Sequence, residues 1–140
     1  KTNQFNLTTR RYKEEDVKRL AQDPGTYIFS VGVKDKFGDN GLTGVLILKK
    51  MGNKLMIDTF LLSCRIIGRN VENAILYFLK EFAEENGFSE IAGEYLPTAK
   101  NSICSDFYPR NGFEVAGKNL FELKDFNKIK FIDYIKMINV

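Results

Sequence analysis

The stretch from residue 55 to residue 86 constrains the fold of this chain more than any other. Residues 55–63 read as a strand, and around Phe60-Leu61-Leu62 it is apolar on both faces, the pattern of a central strand covered above and below. Residues 71–86 repeat Val71, Ile75, Phe78 and Phe82 at helical spacing, with Ala74 and Leu79 beside them. That is an amphipathic helix, and Gly87 stands where a C′ glycine would end it. A short loop, residues 65–70, joins the two.

The flanks fit the same layered scheme. Residues 3–12 read as an extended, edge-strand start, because Phe5 and Leu7 alternate with polar residues. Residues 12–22 predict a helix with an acidic first turn (Glu14, Glu15, Asp16) and an apolar stripe of Val17, Leu20 and Ala21. Asp23-Pro24-Gly25 stops it. Tyr27, Phe29, Val31 and Val33 share one face of a strand. Asp39-Asn40-Gly41 supplies a turn, residues 42–49 return as a second strand, and Gly52-Asn53 turns into the third. Beyond the central helix, residues 89–95 predict a strand, 98–108 include a short helix, and 113–115 and 120–123 form a last pair of strands. Residues 129–140 are apolar and basic by turns and fit a strand, a helix or a docking tail. The expectation is one mixed α/β (α+β) domain over residues 1–140, its sheet six- to seven-stranded and mostly antiparallel, with helices flanking it.

Composition removes whole classes of chemistry. The 140 residues include no histidine, which excludes Ser-His and Cys-His nucleophile pairs and histidine-ligated zinc. Proton transfer must then use Asp, Glu, Tyr, Lys, Cys or held water. The two cysteines, Cys64 and Cys104, match no metal spacing; they read as free thiols in a reducing cytoplasm, and no metal is expected. A net charge of +3 with scattered basic residues is too mild for a nucleic-acid binder and suits a phosphate-bearing ligand or an acidic partner. No apolar run approaches a membrane span. Neither Gly-x-x-x-x-Gly-Lys nor Gly-x-Gly-x-x-Gly occurs, so a nucleotide-binding domain fits poorly. The first residue is not Met, and an excised domain of a longer protein is expected.

The chemistry concentrates in Ser63-Cys64-Arg65-Ile66-Ile67-Gly68-Arg69-Asn70-Val71. Free N–H groups at the start of the following helix, together with its dipole, make an anion site. Gly68 permits close approach of a phosphate. Arg65 and Arg69 add donors and charge, and Asn70 is placed to cap the helix. By itself such a loop is also an ordinary helix N-terminus. A second segment, Asn101-Ser102-Ile103-Cys104-Ser105-Asp106-Phe107-Tyr108-Pro109-Arg110-Asn111-Gly112-Phe113, lies one helix and one strand further on.

Together the two segments resemble the GNAT superfamily of N-acetyltransferases. Its Arg-x-x-Gly-x-(Gly/Ala) motif is met by Arg65 and Gly68. Its Asn-x-x-Ala-x-x-Phe-Tyr-x-x-x-Gly-Phe motif is met by Asn101, Phe107, Tyr108, Gly112 and Phe113. The element order is similar over most of the chain. Three further segments resemble FkbH-type proteins: residues 1–12 look like the join that follows their phosphatase-like half, and residues 58–65 and 93–101 are similar to their C-terminal acetyltransferase-like half. In that family a haloacid-dehalogenase-like (HAD-like) half precedes it, and the whole loads a glyceryl unit onto an acyl carrier protein.

The resemblance implies a GNAT fold with a splay between the two middle strands, and an acyltransferase that takes acetyl-CoA, another acyl-CoA or protein-bound phosphopantetheine. Arg65, Ile67, Gly68, Arg69, Asn70 and Val71 would hold the pyrophosphate. Leu61, Leu62 and Ser63 would pair with the pantetheine through backbone groups, and Asn101 would touch it. Tyr108 would protonate the leaving thiolate, a role open to a phenol of pKa near ~10. Asp58 and Glu94, on the strands flanking the cleft, are the candidate general bases; each also reads as an ordinary strand carboxylate. The sequence departs from the pattern at Asn70, where Gly or Ala is usual, at Cys104, which replaces a small residue, and before Arg65, where the usual Pro is missing. The other function the resemblance implies is a non-catalytic module that grips an acyl carrier protein's arm for an N-terminal HAD-like partner domain. Either protein would be cytoplasmic.

Overall fold

The structure is a computed structural model. It describes residues 5–7, 13–36, 38–63, 69–99 and 101–136, with the side chains of residues 5, 6, 40 and 42 left out. The elements are β1 (Phe5–Asn6), α1 (Glu14–Ala21), β2 (Thr26–Asp35), β3 (Gly38–Met51), β4 (Lys54–Leu62), α2 (Val71–Glu85), β5 (Glu90–Glu94), α3 (Phe107–Arg110), β6 (Glu114–Gly117) and β7 (Leu120–Leu123). Single 3-10 turns stand at Ser102–Cys104 and Phe126–Lys128.

One seven-stranded sheet runs in the order β2-β3-β4-β5-β7-β6, with β1 on β4 off that path. All pairings are antiparallel except β4 with β5. The strand read as apolar on both faces, β4, is central, with β3 on one edge and β5 on the other. Leu55, Ile57, Phe60 and Leu62 are all buried. Their parity changes between Ile57 and Phe60, because Ile47 faces Thr59 while Leu48 faces Ile57. Asp58 is therefore an extra residue, a β-bulge that bends the strand.

The helix α2 buries Val71, Ala74, Ile75, Leu76, Leu79 and Ala83. Phe78 and Phe82, read as core, are half-buried. They flank the helix and meet Phe29 and Tyr27 of β2 edge-on, with Phe29–Phe78 centroids 5.1 Å apart and Tyr27–Phe82 centroids 4.9 Å apart. The helix ends in a Schellman arrangement: Phe88 N–H donates to Ala83 O and Gly87 N–H to Glu84 O.

Three expectations change. The β2–β3 reversal closes at Asp35 opposite Gly38, ahead of the predicted Asp39-Asn40-Gly41 turn. That tripeptide lies inside β3 beside a register shift. The Asp39 carboxylate accepts from Gly41 N–H at 2.7 Å and Gly41 has φ +69°, so the local Asx turn serves a strand irregularity. The apolar stripe of α1 buries no residue fully: Val17 and Leu20 are half-buried and Ala21 is exposed. The short hairpin-like tail of the sheet is also more open than alternation suggests, with Val115 75% exposed.

Gly87 stands at φ +79°, a region that costs a side-chain-bearing residue free energy. Gly87→Ala should lower unfolding stability by about 1 kcal/mol, read as a lower midpoint in denaturant with an unchanged slope.

Candidate active site

The bulge sets the geometry of the site. β4 and β5 pair in parallel only through Lys54↔Glu90, Leu55↔Ile91, Met56↔Ala92 and Ile57↔Gly93. One residue later comes Asp58, and the two strands part. β4 continues along β3 to Leu62, while β5 continues along β7 to Glu94. The result is a V whose apex is at Ile57 and Gly93.

Tyr108 closes the apex. It extends from α3 and is 1% exposed. A Cβ on Gly93 would lie 2.4 Å from the Tyr108 hydroxyl and ring, so the ring sits flat against a strand position that only glycine can fill. Phe107, Phe113 and Phe121 surround it, their ring centroids 4.7–5.7 Å from its own. Its hydroxyl is buried with no hydrogen-bond partner among the described residues. Burial pushes its pKa far above the ordinary phenol value, and the nearby Cys104 and Glu94 push the same way. Tyr108 is thus held neutral, able to donate a proton and unable to act as a base near neutral pH.

The two carboxylates differ. Asp58 is 7% exposed. It pairs with Lys49 Nζ at 3.5 Å and accepts from Thr59 Oγ1 at 3.0 Å. Glu94 is half-buried at the end of β5, opposite Leu120.

At the other end of β4, Ser63 N–H donates to Thr43 O at 2.7 Å. Of the loop expected to hold pyrophosphate, Arg65, Ile67 and Gly68 lie outside the described residues, as does Cys64. Arg69 is tied to Asp35 of β2 at 2.6 Å. Asn70 does precede the helix, but it does not cap it with its side chain. Its φ is +62°, whereas side-chain capping needs an extended residue. Its amide instead accepts from Asn73 Nδ2 at 2.9 Å and donates to the Tyr134 hydroxyl. This left-handed backbone is one that Asn tolerates. Val71 opens the helix. Glu72, next in line, is buried, with Oε1 lacking a partner among the described residues.

Asn101 is 1% exposed and folds the chain after β5 back on itself. Its Oδ1 accepts from Thr98 N–H at 2.7 Å, and its Nδ2 donates to Leu96 O at 2.8 Å. Tyr95 donates its hydroxyl to the Asn101 backbone oxygen at 3.2 Å. Sequence reasoning missed this loop and also Leu7. Leu7 is fully buried, lies inside the V, and hydrogen-bonds to β4 and to the segment just beyond β5. Alternation marked residue 7 as apolar, but nothing local says which edge a two-residue strand will join.

The interior of the V accepts an extended, amide-bearing chain, since residues 5–7 lie in it as one. Coenzyme A's pantetheine arm has that same character, so the site fits such a group in shape and in backbone donors. Among the described residues there is no group of three side chains able to hold a metal ion, and no described helix is long and apolar enough to cross a membrane.

No protein-family model matches this chain, and no curated protein sequence does. Solved structures do. The PaiA N-acetyltransferase of Thermoplasma acidophilum, in complex with coenzyme A, superposes with TM-score 0.54 at 22% identity, over 70% of this chain and 61% of that one. A Desulfovibrio desulfuricans protein described as an acetyltransferase of the GNAT family gives 0.62 at 13%, over 79% and 76%. A Bacillus anthracis protein described as a streptothricin acetyltransferase, in complex with acetyl coenzyme A, gives 0.60 at 18%, over 77% and 67%. This chain therefore spans about three-fifths of the length of the Thermoplasma protein. It has the GNAT fold: a mixed seven-stranded sheet with helices on it, parted between its middle strands.

The raised pKa of Tyr108 has a signed consequence. The unfolded tyrosine ionises near ~10 and the folded one later, so Tyr108 leaves stability constant below ~10 and lowers it as pH rises beyond that value. Titration at 295 nm should show a tyrosine that ionises only as the fold is lost, and Tyr108→Phe should remove that late step.

Proposed function

We propose that this domain is a GNAT-type acyltransferase that carries an acyl group from acyl-coenzyme A to an amine or hydroxyl. The observation that carries the reading is the buried hydroxyl of Tyr108, without a partner among the described residues, at the point where β4 and β5 part. An orphaned buried hydroxyl costs stability, and a proton-donating role at that apex accounts for it.

The bound thioester supplies an acyl carbon for the acceptor to attack and a sulfur that leaves. The chain supplies the rest. Of Leu61, Leu62 and Ser63, Leu62 turns its backbone groups to the V and holds the arm, because Leu61 and Ser63 face β3, where Ser63 N–H bonds Thr43 O; Asn101 braces the loop beside the other limb. Arg65, Ile67, Gly68, Arg69, Asn70 and Val71 hold the pyrophosphate at the helix start. Tyr108 retains its proton to high pH and gives it to the sulfur. Glu94, at the apex beside Tyr108, takes the acceptor's proton. Asp58 is the alternative, although its pairing with Lys49 favours a charge-holding role.

Two observations favour a second reading, a non-catalytic module that grips the phosphopantetheine of an acyl carrier protein in an FkbH-like assembly with a HAD-like domain. Residues 5–7, from the segment that resembles the FkbH join, fill the V, and the buried Glu72 carboxylate sits in the first turn of the helix expected to receive phosphate.

Calorimetry with acetyl-coenzyme A separates these. On the enzyme reading, the chain binds it, Gly68→Glu loses binding, and Tyr108→Phe keeps binding while acyl transfer falls about 100-fold. Binding of a carrier protein's arm with no measurable transfer to any amine would overturn catalysis and leave the second reading. Tyr108→Phe should also leave stability unchanged or raise it by on the order of 1 kcal/mol, since it removes an unsatisfied hydroxyl.

A further inference from the structure

Residues 5–7 are not an ordinary sheet edge. Phe5 faces Leu62 and Asn6 faces Leu61 in antiparallel register, and β3 already occupies the other edge of those same residues through Gly44↔Leu62 and Val45↔Leu61. β1 therefore lies on the edge of β4 that β5 leaves at the apex. Leu7 N–H donates to Phe60 O at 3.4 Å, and Leu7 O accepts from Leu96 N–H at 2.7 Å. One residue thus bonds β4 and the segment just beyond β5, and its side chain is 0% exposed within the core.

From this we propose that the N-terminal segment is a self-plug: residues 5–7 occupy the backbone track that the proposed function assigns to pantetheine, and the cofactor binds only when they withdraw. The inference rests on that reading of the site. Phe60 and Leu62 have one set of backbone groups facing the V, and two extended chains cannot pair with them together. Binding is then coupled to release of the segment, and the apparent dissociation constant rises by the inverse of the fraction in which the V is open. Among the described groups the plug is held by three residues of backbone and the Leu7 side chain. A segment that short can exchange with a competing strand without unfolding the sheet. Whatever draws residues 5–7 away, a preceding domain or a bound partner, would turn the site on.

The test uses the full chain and two variants, with coenzyme A as the probe. Leu7→Ala weakens the plug, so the apparent dissociation constant should fall by on the order of tenfold, and hydrogen exchange at the Leu96 amide should accelerate when coenzyme A is added. An ordinary core truncation would leave affinity unchanged or weaken it. The second variant guards against a misfolded first. Leu7 donates to Phe60, so the next pair, Asn6 and Leu61, is of the non-hydrogen-bonded kind, whose Cβ atoms are close enough for a disulfide. Asn6→Cys with Leu61→Cys, in a Cys64→Ser chain, locks the plug when oxidised. Coenzyme A should bind the oxidised form about tenfold or more weakly than the reduced form of the same protein. Equal affinity in both forms overturns the plug and leaves the acyltransferase reading standing. Absence of binding by the reduced form and by Leu7→Ala alike overturns the coenzyme reading, and the plug with it.

Discussion

The rest of the site depends on one extra residue in β4. Asp58 has no counterpart on β3, and the pairing of β4 with β5 stops one residue before it. Asp58 is a costly residue to place there, because a buried carboxylate needs partners. Lys49 and the Thr59 hydroxyl supply them. The carboxylate that sequence position alone made a candidate base is thus engaged by partners at the bulge.

Around that apex, packing and chemistry are set by the same contacts. Gly93 has no side chain, and the Tyr108 ring fills the space over it. The aromatic shell of Phe107, Phe113 and Phe121 fixes the ring's position and removes water, which raises the hydroxyl's pKa. Burial keeps the hydroxyl protonated, and so available as a donor, but it also makes it a weaker acid than an ordinary phenol, so transfer to a thiolate, whose thiol has a pKa near ~8.5, must be drawn by the reaction itself. The same environment leaves that hydroxyl without a partner among the described residues, so rigidity and an unmet hydrogen bond come together.

Much of this was legible in the sequence, and the limits have physical causes. The central strand and α2 declared themselves because burial on two faces and a 3.6-residue period are non-local constraints written locally. The bulge was legible too, in the shift of parity from Leu55 and Ile57 to Phe60 and Leu62, although plain alternation does not look for it. Asn70 was placed correctly before the helix, but its left-handed backbone denied it a capping bond, and only the tertiary contact with Tyr134 shows where its amide goes. The pairing of residues 5–7 could not be read, since a strand of that length carries too little pattern to choose an edge. The structure places Tyr108 of the second motif against Gly93 and Asn101 in the loop after β5. That Asn101 spends its amide on Thr98 and Leu96 is a property of the folded loop.

The parallel contact between β4 and β5 also bears on how the chain assembles. It is four residue pairs long and is the seam between two halves, β2-β3-β4 and β5-β7-β6. Within each half, β2–β3, β3–β4 and β6–β7 join sequence neighbours across short turns, so they close small loops. The seam joins segments separated by all of α2, and it pays the larger closure entropy. Each half therefore forms early and the seam late, with α2 as the element that draws them together. Residues 5–7 bond to Phe60 of β4 and to Leu96 just beyond β5, so they can dock only after that seam has closed, and they are among the last parts of the domain to find their place.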